Sequence, residues 1–260
     1  MTTSVHHSAS NYVALVTGVG RRDGIGFAIA QRLARDGFDV GFNYWTPYDE
    51  RMAYGTDVAT ADELTTRITE IGRRAVSVEA DLEIPDSTSS LFDSVETKLG
   101  PVSALVLCHC ESVDSGILDT TVESFDRHFA VNARATWLLI REFGLRYQAS
   151  SRYGRVIALT SDHTVGNLPY GASKGALNRI TLAAAQEFAG LGITANVINP
   201  GPTDTGWMTP ELKTRITDET PLGRLGIPND VANLVSFLCS ADGGWINGQL
   251  LASDGGIGSG

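Results

Sequence analysis

The chain is 260 residues long, 42% hydrophobic and 19% charged, with a formal net charge of −10. That length allows one large domain with a full core. The acidic balance, with no long Lys/Arg run, argues against nucleic acid or an anionic membrane as a partner, and no apolar stretch reaches the roughly 18 residues of a membrane span.

Residues 1–11 are polar and lack the basic-then-apolar layout of a signal peptide, so a flexible tail is expected there. Cys108, Cys110 and Cys239 give no disulfide framework and fit a reducing cytoplasm. Cys108-His109-Cys110 lacks a second Cys/His cluster, and strand alternation would turn His109 away from both thiols, so no metal is expected.

From Tyr12 on, strand and helix signals alternate. Tyr12 to Val16 is a short continuous apolar run, the pattern of a strand buried on both faces. It enters the Gly-rich stretch Thr17 to Gly26, and a helix is expected from Phe27 to Asp36, ended by Gly37. Asp39 to Tyr44 reads as the second strand, and Trp45 to Asp57 as an aperiodic insertion with Tyr48 and Tyr54. A helix over Ala61 to Ile71 and a strand over Ala75 to Ala80 follow. Next come a helix over Ser87 to Leu99, a strand over Val102 to Leu107 and a long helical region from Val122 to Tyr147. Arg155 to Leu159 is a fifth strand, followed by a helix from about Tyr170. Ile193 to Ile198, Val231 to Leu238 and Gln249 to Ala252 complete the series as strand, helix and strand. This alternation predicts one α/β domain over 12–260, a doubly wound, seven-stranded, mainly parallel sheet with helices on both faces.

Two constellations carry chemistry. Gly18, Gly24 and Gly26 lie between a buried strand and a helix, where side-chain-free turns let a pyrophosphate meet backbone N–H groups at a helix N-terminus. Tyr170 and Lys174 stand one helical turn apart, so the spacing puts a phenol and an ammonium on one face. Such an ammonium is expected to lower the phenol's pKa and fit it for proton transfer near neutral pH. A core Tyr beside a surface Lys is the bland alternative for the isolated pair.

Taken in order, these marks resemble the short-chain dehydrogenases/reductases over about residues 12–256. Thr17-Gly18 and Gly24-Ile25-Gly26 resemble that family's signature, with five residues between them instead of three. Asp81-Leu82 resembles the pair whose Asp contacts adenine. Asn132, Ser161, Tyr170 and Lys174 match the catalytic set, with Thr160 as the neighbouring hydroxyl. Pro200, Gly201, Thr203 and Thr205 fall in a segment resembling the one that flanks the nicotinamide, and Asp254-Gly255-Gly256 resembles the C-terminal ending. Two departures stand out. Leu107-Cys108-His109-Cys110 replaces the usual Asn-Asn-Ala-Gly, and Ser161 lies only nine residues before Tyr170.

The resemblance implies a reductase acting on a ketone or secondary alcohol, of the 3-oxoacyl thioester type or related. Tyr170 would be the acid, Ser161 would hold the substrate oxygen, Lys174 would tune Tyr170 and grip the ribose, and Asn132 would position a water. It also implies a homotetramer built partly from the Tyr170 helix. The departures keep a second reading open, a catalytically weak nucleotide-binding sensor. No carboxylate stands in Asn43-Tyr44-Trp45, at the end of the second strand, and Arg21 and Arg22 lie in the Gly-rich loop. NADP(H) is therefore favoured over NAD(H), against the alternative of two solvated arginines. His163 reads as an ordinary loop residue. Trp207, Met208 and Leu212 are either a pocket cover or packing for the last helix.

Overall fold

The structure, a computed structural model, describes residues 12–57, 59–148 and 153–258. The expected tail at 1–11 lies outside the described residues. Seven strands form one sheet in the order β3-β2-β1-β4-β5-β6-β7: β1 Val13–Thr17, β2 Asp39–Tyr44, β3 Ala75–Glu79, β4 Val102–Leu107, β5 Gly154–Leu159, β6 Ile193–Asn199 and β7 Leu250–Ala252. Every pairing is parallel, so the sheet is more uniform than the mainly parallel one expected. The strand order turns back between β1 and β4. In doubly wound sheets, ligands bind in the crevice at that point, outside the carboxyl ends of the strands.

Alternation along the strands feeds two cores. Ala14 and Val16 face a layer containing α1 (Ile25–Arg35), α3 (Thr60–Glu70) and α9 (Pro228–Leu238). Val13 and Leu15 face the opposite layer, with α4 (Ser87–Leu99), α6 (Ala135–Arg146) and α7 (Leu168–Glu187). Because both faces are covered, β1, β4 and β5 are buried along their whole length, and the continuous apolar runs are the trace of that.

Two segments differ from the sequence expectation. The insertion after β2 contains a short helix, α2 (Thr46–Arg51), with Pro47 in its first turn. The long helical region is α5 (Val122–His128) followed by a π-helical turn over Phe129–Arg134 and then α6. A further helix, α8 (Pro210–Glu219), has Thr209 as its N-cap, whose hydroxyl accepts from the Leu212 N–H. It lies in the stretch read as a pocket cover, of which Met208 is buried and Trp207 is exposed.

One ion pair with a buried carboxylate ties three elements. Asp39 opens β2 and is 2% exposed. It accepts from the Arg74 main-chain N–H at 2.9 Å and the Arg74 Nε at 2.8 Å, with Arg73 at 2.9 Å. Arg74 also donates to the terminal carbonyls of α4, Lys98 O and Leu99 O. Burial pushes the Asp39 carboxyl up, but the Arg74 hydrogen bonds and both guanidinium charges outweigh it and hold it below the usual carboxylate range. A depressed carboxylate pKa stabilises the fold above the unfolded value of about 3.9, and that stability is lost as pH falls through the folded value. Asp39→Asn should cost about 1–3 kcal/mol at neutral pH. Denaturant melts should show the gap between variant and wild type closing in acid.

Candidate dinucleotide and proton-transfer site

The Gly-rich turn leaves the end of β1 and opens α1. Gly18 has φ +73°, and a Cβ there would stand 2.6 Å from the His109 main-chain N. A Cβ on Gly26 would stand 2.6 Å from Gly18 O. Glycine is therefore required at both positions, once for conformation and once for close approach. The extra residues form a turn closed by the Gly24 N–H donating to Arg21 O at 3.0 Å. Gly24 caps α1 without a side chain, so among the described residues no side-chain cap is made to the first-turn amides of α1. Uncapped amides at the switch point fit a phosphate-bearing dinucleotide.

The segment after β4 explains how the chain tolerates His109 in place of a small residue. The imidazole is 5% exposed and turns toward β1. Its Nε2 lies 3.1 Å from Val131 O, and its Nδ1 lies 2.7 Å from Thr17 Oγ1. A carbonyl only accepts, so Nε2 carries the proton and Nδ1 accepts from Thr17. Burial and then the Lys174 charge push its pKa down to about 3. His109 is thus a neutral strut joining β1, β4 and the π-helical turn.

The fold brings the Tyr170, Lys174, Ser161 and Asn132 positions together. The Lys174 ammonium is 2% exposed and donates to Leu159 O at 2.9 Å and His109 O at 3.5 Å, the main chain beyond β4 and at the end of β5. It lies 5.7 Å from the Tyr170 ring centroid. The Tyr170 phenol faces the Ser161 side chain. Thr160 turns away, its hydroxyl donating to Lys174 O at 3.4 Å, and His163 is exposed.

The expected electrostatics of the pair needs correction. Burial raises the Tyr170 phenol above its ordinary range, Cys110 adds to the rise, and the Ser161 hydroxyl opposes it. Lys174 is itself lowered by burial, which weakens its hold as a cation. The phenol is accordingly protonated throughout the neutral range.

Asn132 is fully buried in the π-helical turn. Its Oδ1 accepts from the Glu111 N–H, and its Nδ2 donates to Glu111 O and Ser173 Oγ, each at 2.8 Å. Ser173 in turn donates to Tyr170 O at 2.8 Å. The side chain is fully engaged in joining the post-β4 segment to α7, which leaves the Asn132 main-chain carbonyl, bonded by Thr136 at 2.8 Å, as the group able to contact a water.

The remaining positions ring the crevice. Asp81 closes its own turn by accepting from the Glu83 N–H at 2.8 Å, and Leu82 is buried in the α4-side core. Gly201 has φ +60° and packs on Asp254, while Thr203 donates to Pro200 O at 3.1 Å. Arg21 crosses from the Gly-rich turn to Thr205, donating to its carbonyl at 2.8 Å, and lies 4.0 Å over the Tyr54 ring. Arg22 pairs with Asp57 at 3.4 Å and with Glu63. The sequence reading found no carboxylate at the end of β2. The fold returns one: Asp49 of α2 is buried, 4.0 Å from Arg21. The Arg51–Glu111 pair was also missed, since no local signal marks partners 60 residues apart.

Among known proteins, the family model described as enoyl-(acyl carrier protein) reductase matches residues 18–258. An NADPH-dependent aldehyde reductase-like protein, chloroplastic, of Arabidopsis thaliana is 38% identical over 94% of this chain and 93% of its own. A blue fluorescent protein from a metagenomic library, solved in complex with NADPH, superposes with a TM-score of 0.84 at 31% identity, over 95% of this chain and 98% of the other. The angucycline C-6 ketoreductase LanV with bound NADP gives a TM-score of 0.84 at 30% identity over 96% of each chain.

The His109 strut yields a direct check. Its ring should remain the neutral Nε2–H tautomer from about pH 8 down to pH 4, well below the ordinary histidine midpoint near 6.5. Imidazole ¹⁵N shifts read the tautomer, and a midpoint near 6 would remove the strut.

Proposed function

The chain belongs to the short-chain dehydrogenase/reductase family and is an NAD(P)-dependent oxidoreductase, and we propose that residues 12–260 form one catalytic domain that reduces a ketone to a secondary alcohol, using NADP(H) in preference to NAD(H). The observation that carries this reading is the Lys174 ammonium, buried against Leu159 O and His109 O at the end of β5 and just beyond β4 and 5.7 Å from the Tyr170 ring.

When bound, the dinucleotide supplies the hydride. The protein's part is to hold the carbonyl and deliver a proton. Ser161 and Tyr170 present two adjacent hydroxyls, so one carbonyl oxygen can accept from both, and negative charge growing there meets donors already oriented. Tyr170 gives up the proton. A phenol that stays protonated at neutral pH suits that step, since the acid must hold its proton until the oxygen becomes basic. Lys174 directs two of its three N–H groups at main-chain carbonyls, and the third is suited to ribose hydroxyls. As it takes up negative charge after transfer, Tyr170 is stabilised by this nearby ammonium. Proton return runs by way of Lys174 from a water on the Asn132 carbonyl.

The preference for NADP(H) rests on Arg21 and Arg22 flanking the turn, and on NADPH or NADP in the names of similar proteins. A 3-oxoacyl thioester is the substrate type we favour among ketones. A homotetramer is the assembly we favour; Trp137 and Leu145 are exposed on α6 and Arg179 on α7, as a helical interface would require. Three free thiols favour a reducing, cytoplasmic setting.

Tyr170→Phe should lower turnover by about 10²–10⁴, the usual cost of losing a general acid, with NADPH affinity unchanged. Loss of nicotinamide absorbance over a carbonyl panel is the assay, and full activity in the variant would reassign the acid. In the wild type, kcat/KM for reduction should stay flat from about pH 6 to 9, while alcohol oxidation should rise with pH because it needs Tyr170 ionised. Arg21→Ala combined with Arg22→Ala should weaken NADPH more than NADH in fluorescence titrations, and equal losses would remove the preference.

A further inference from the structure

The segment 45–57 is not an ornament on the surface. It bridges the crevice from one side of the switch point to the other. At the β1 side, the Asp49 carboxylate lies on the Gly-rich turn so closely that a Cβ on Gly20 would stand 2.2 Å from Asp49 Oδ2. The same carboxylate lies 4.0 Å from the Arg21 Nε and faces Tyr54. At the β4 side, Arg51 makes a two-pronged pair with Glu111, Nη1 to Oε1 at 3.2 Å and Nη2 to Oε2 at 2.9 Å. Glu111 is 3% exposed, and its main chain is fixed by Asn132. Between these anchors the half-buried Tyr48 faces Tyr54 and Cys110.

Chemically, an acidic group lying on a glycine of the Gly-rich turn, beside a guanidinium, takes the place that a phosphate bound to that turn would take. Two anions cannot share that place. Like charges a few ångströms apart in a partly buried site repel strongly. Burial raises the Asp49 carboxyl, opposed by Arg21 and Tyr54, so the anion sits there at a cost.

We propose that Asp49 is a resident competitor for the dinucleotide's phosphate, carried on a strap that must leave the Gly-rich turn before the cofactor can bind. The proposal rests on the reading of that turn as the dinucleotide site. Its consequence is quantitative. Apparent affinity is the intrinsic affinity reduced by the fraction of molecules with the strap displaced. Removing the charge should therefore raise affinity, the opposite of what deleting a polar residue from a binding site normally does.

The test is an NADPH titration of the full chain by calorimetry, wild type against Asp49→Asn, with inorganic pyrophosphate as a second probe. The variant should bind both probes about tenfold more tightly, the gain available if roughly a tenth of the wild-type molecules have the strap displaced. Unchanged or weaker NADPH binding in the variant overturns the competitor and leaves the turn as the dinucleotide site. Absence of NADPH binding in both proteins overturns the dinucleotide reading, and the competitor with it. Hydrogen exchange on the wild type gives a check that needs no variant. Saturating NADPH should speed exchange of the main-chain amides of 46–57, and slower exchange there would mean that the segment closes over the cofactor, which overturns the proposal.

Discussion

A buried ammonium organises the site. Taking Lys174 out of water costs several kcal/mol unless its donors are satisfied, and the satisfying groups are the main-chain carbonyls of Leu159 and His109. Parallel strands that end together present such carbonyls along one edge of the sheet. Lys174 can therefore be buried only if α7 lies across the ends of β4 and β5, and that requirement fixes Tyr170 one turn back on the same face. The Asn132–Ser173–Tyr170 relay locks the placement from the other side, because its donors and acceptors are all used within the protein. The pair's geometry is thus a consequence of where the charge can be accommodated.

The same logic accounts for the departure after β4. A histidine at this position would crowd the crevice if it pointed there. It points instead to Thr17 and Val131, and both ring nitrogens find partners. Its neutrality is needed as well as its shape. A second cation beside Lys174 would need a carboxylate partner, and the buried Glu111, two residues along the chain, is already taken by Arg51.

How much of this is legible in the chain depends on range. The strands could be read because burial on both faces leaves unbroken apolar runs, as in Val102 to Leu107. The site positions could be read because Tyr170 and Lys174 share a helix and the glycines share a turn. The π-helical turn could not, since Phe129 to Arg134 keeps helical periodicity. α2 is too short to show a period, and α8 has no buried residue to create one. The sign of the Tyr170 shift was misjudged for a related reason. Sequence spacing gives the distance to Lys174 but not the desolvation of both groups, and here burial dominates. Likewise, a search for a carboxylate at the end of β2 stops at Trp45, whereas the chain brings Asp49 back through a helical turn.

These features bear on how an acidic protein receives an acidic ligand. A net charge of −10 repels a dinucleotide at long range, though salt screens the effect beyond about 8 Å. Local attraction must come from Arg21, Arg22 and the amides at the start of α1. Left without counter-charges, two guanidiniums and a positive helix end would repel one another and leave the extended loop between Gly18 and Gly24 poorly fixed. Asp49, Asp57 and Glu63 supply those counter-charges from the segment that follows β2. Order in the turn and affinity for phosphate then draw on the same charges, so whatever stabilises one opposes the other.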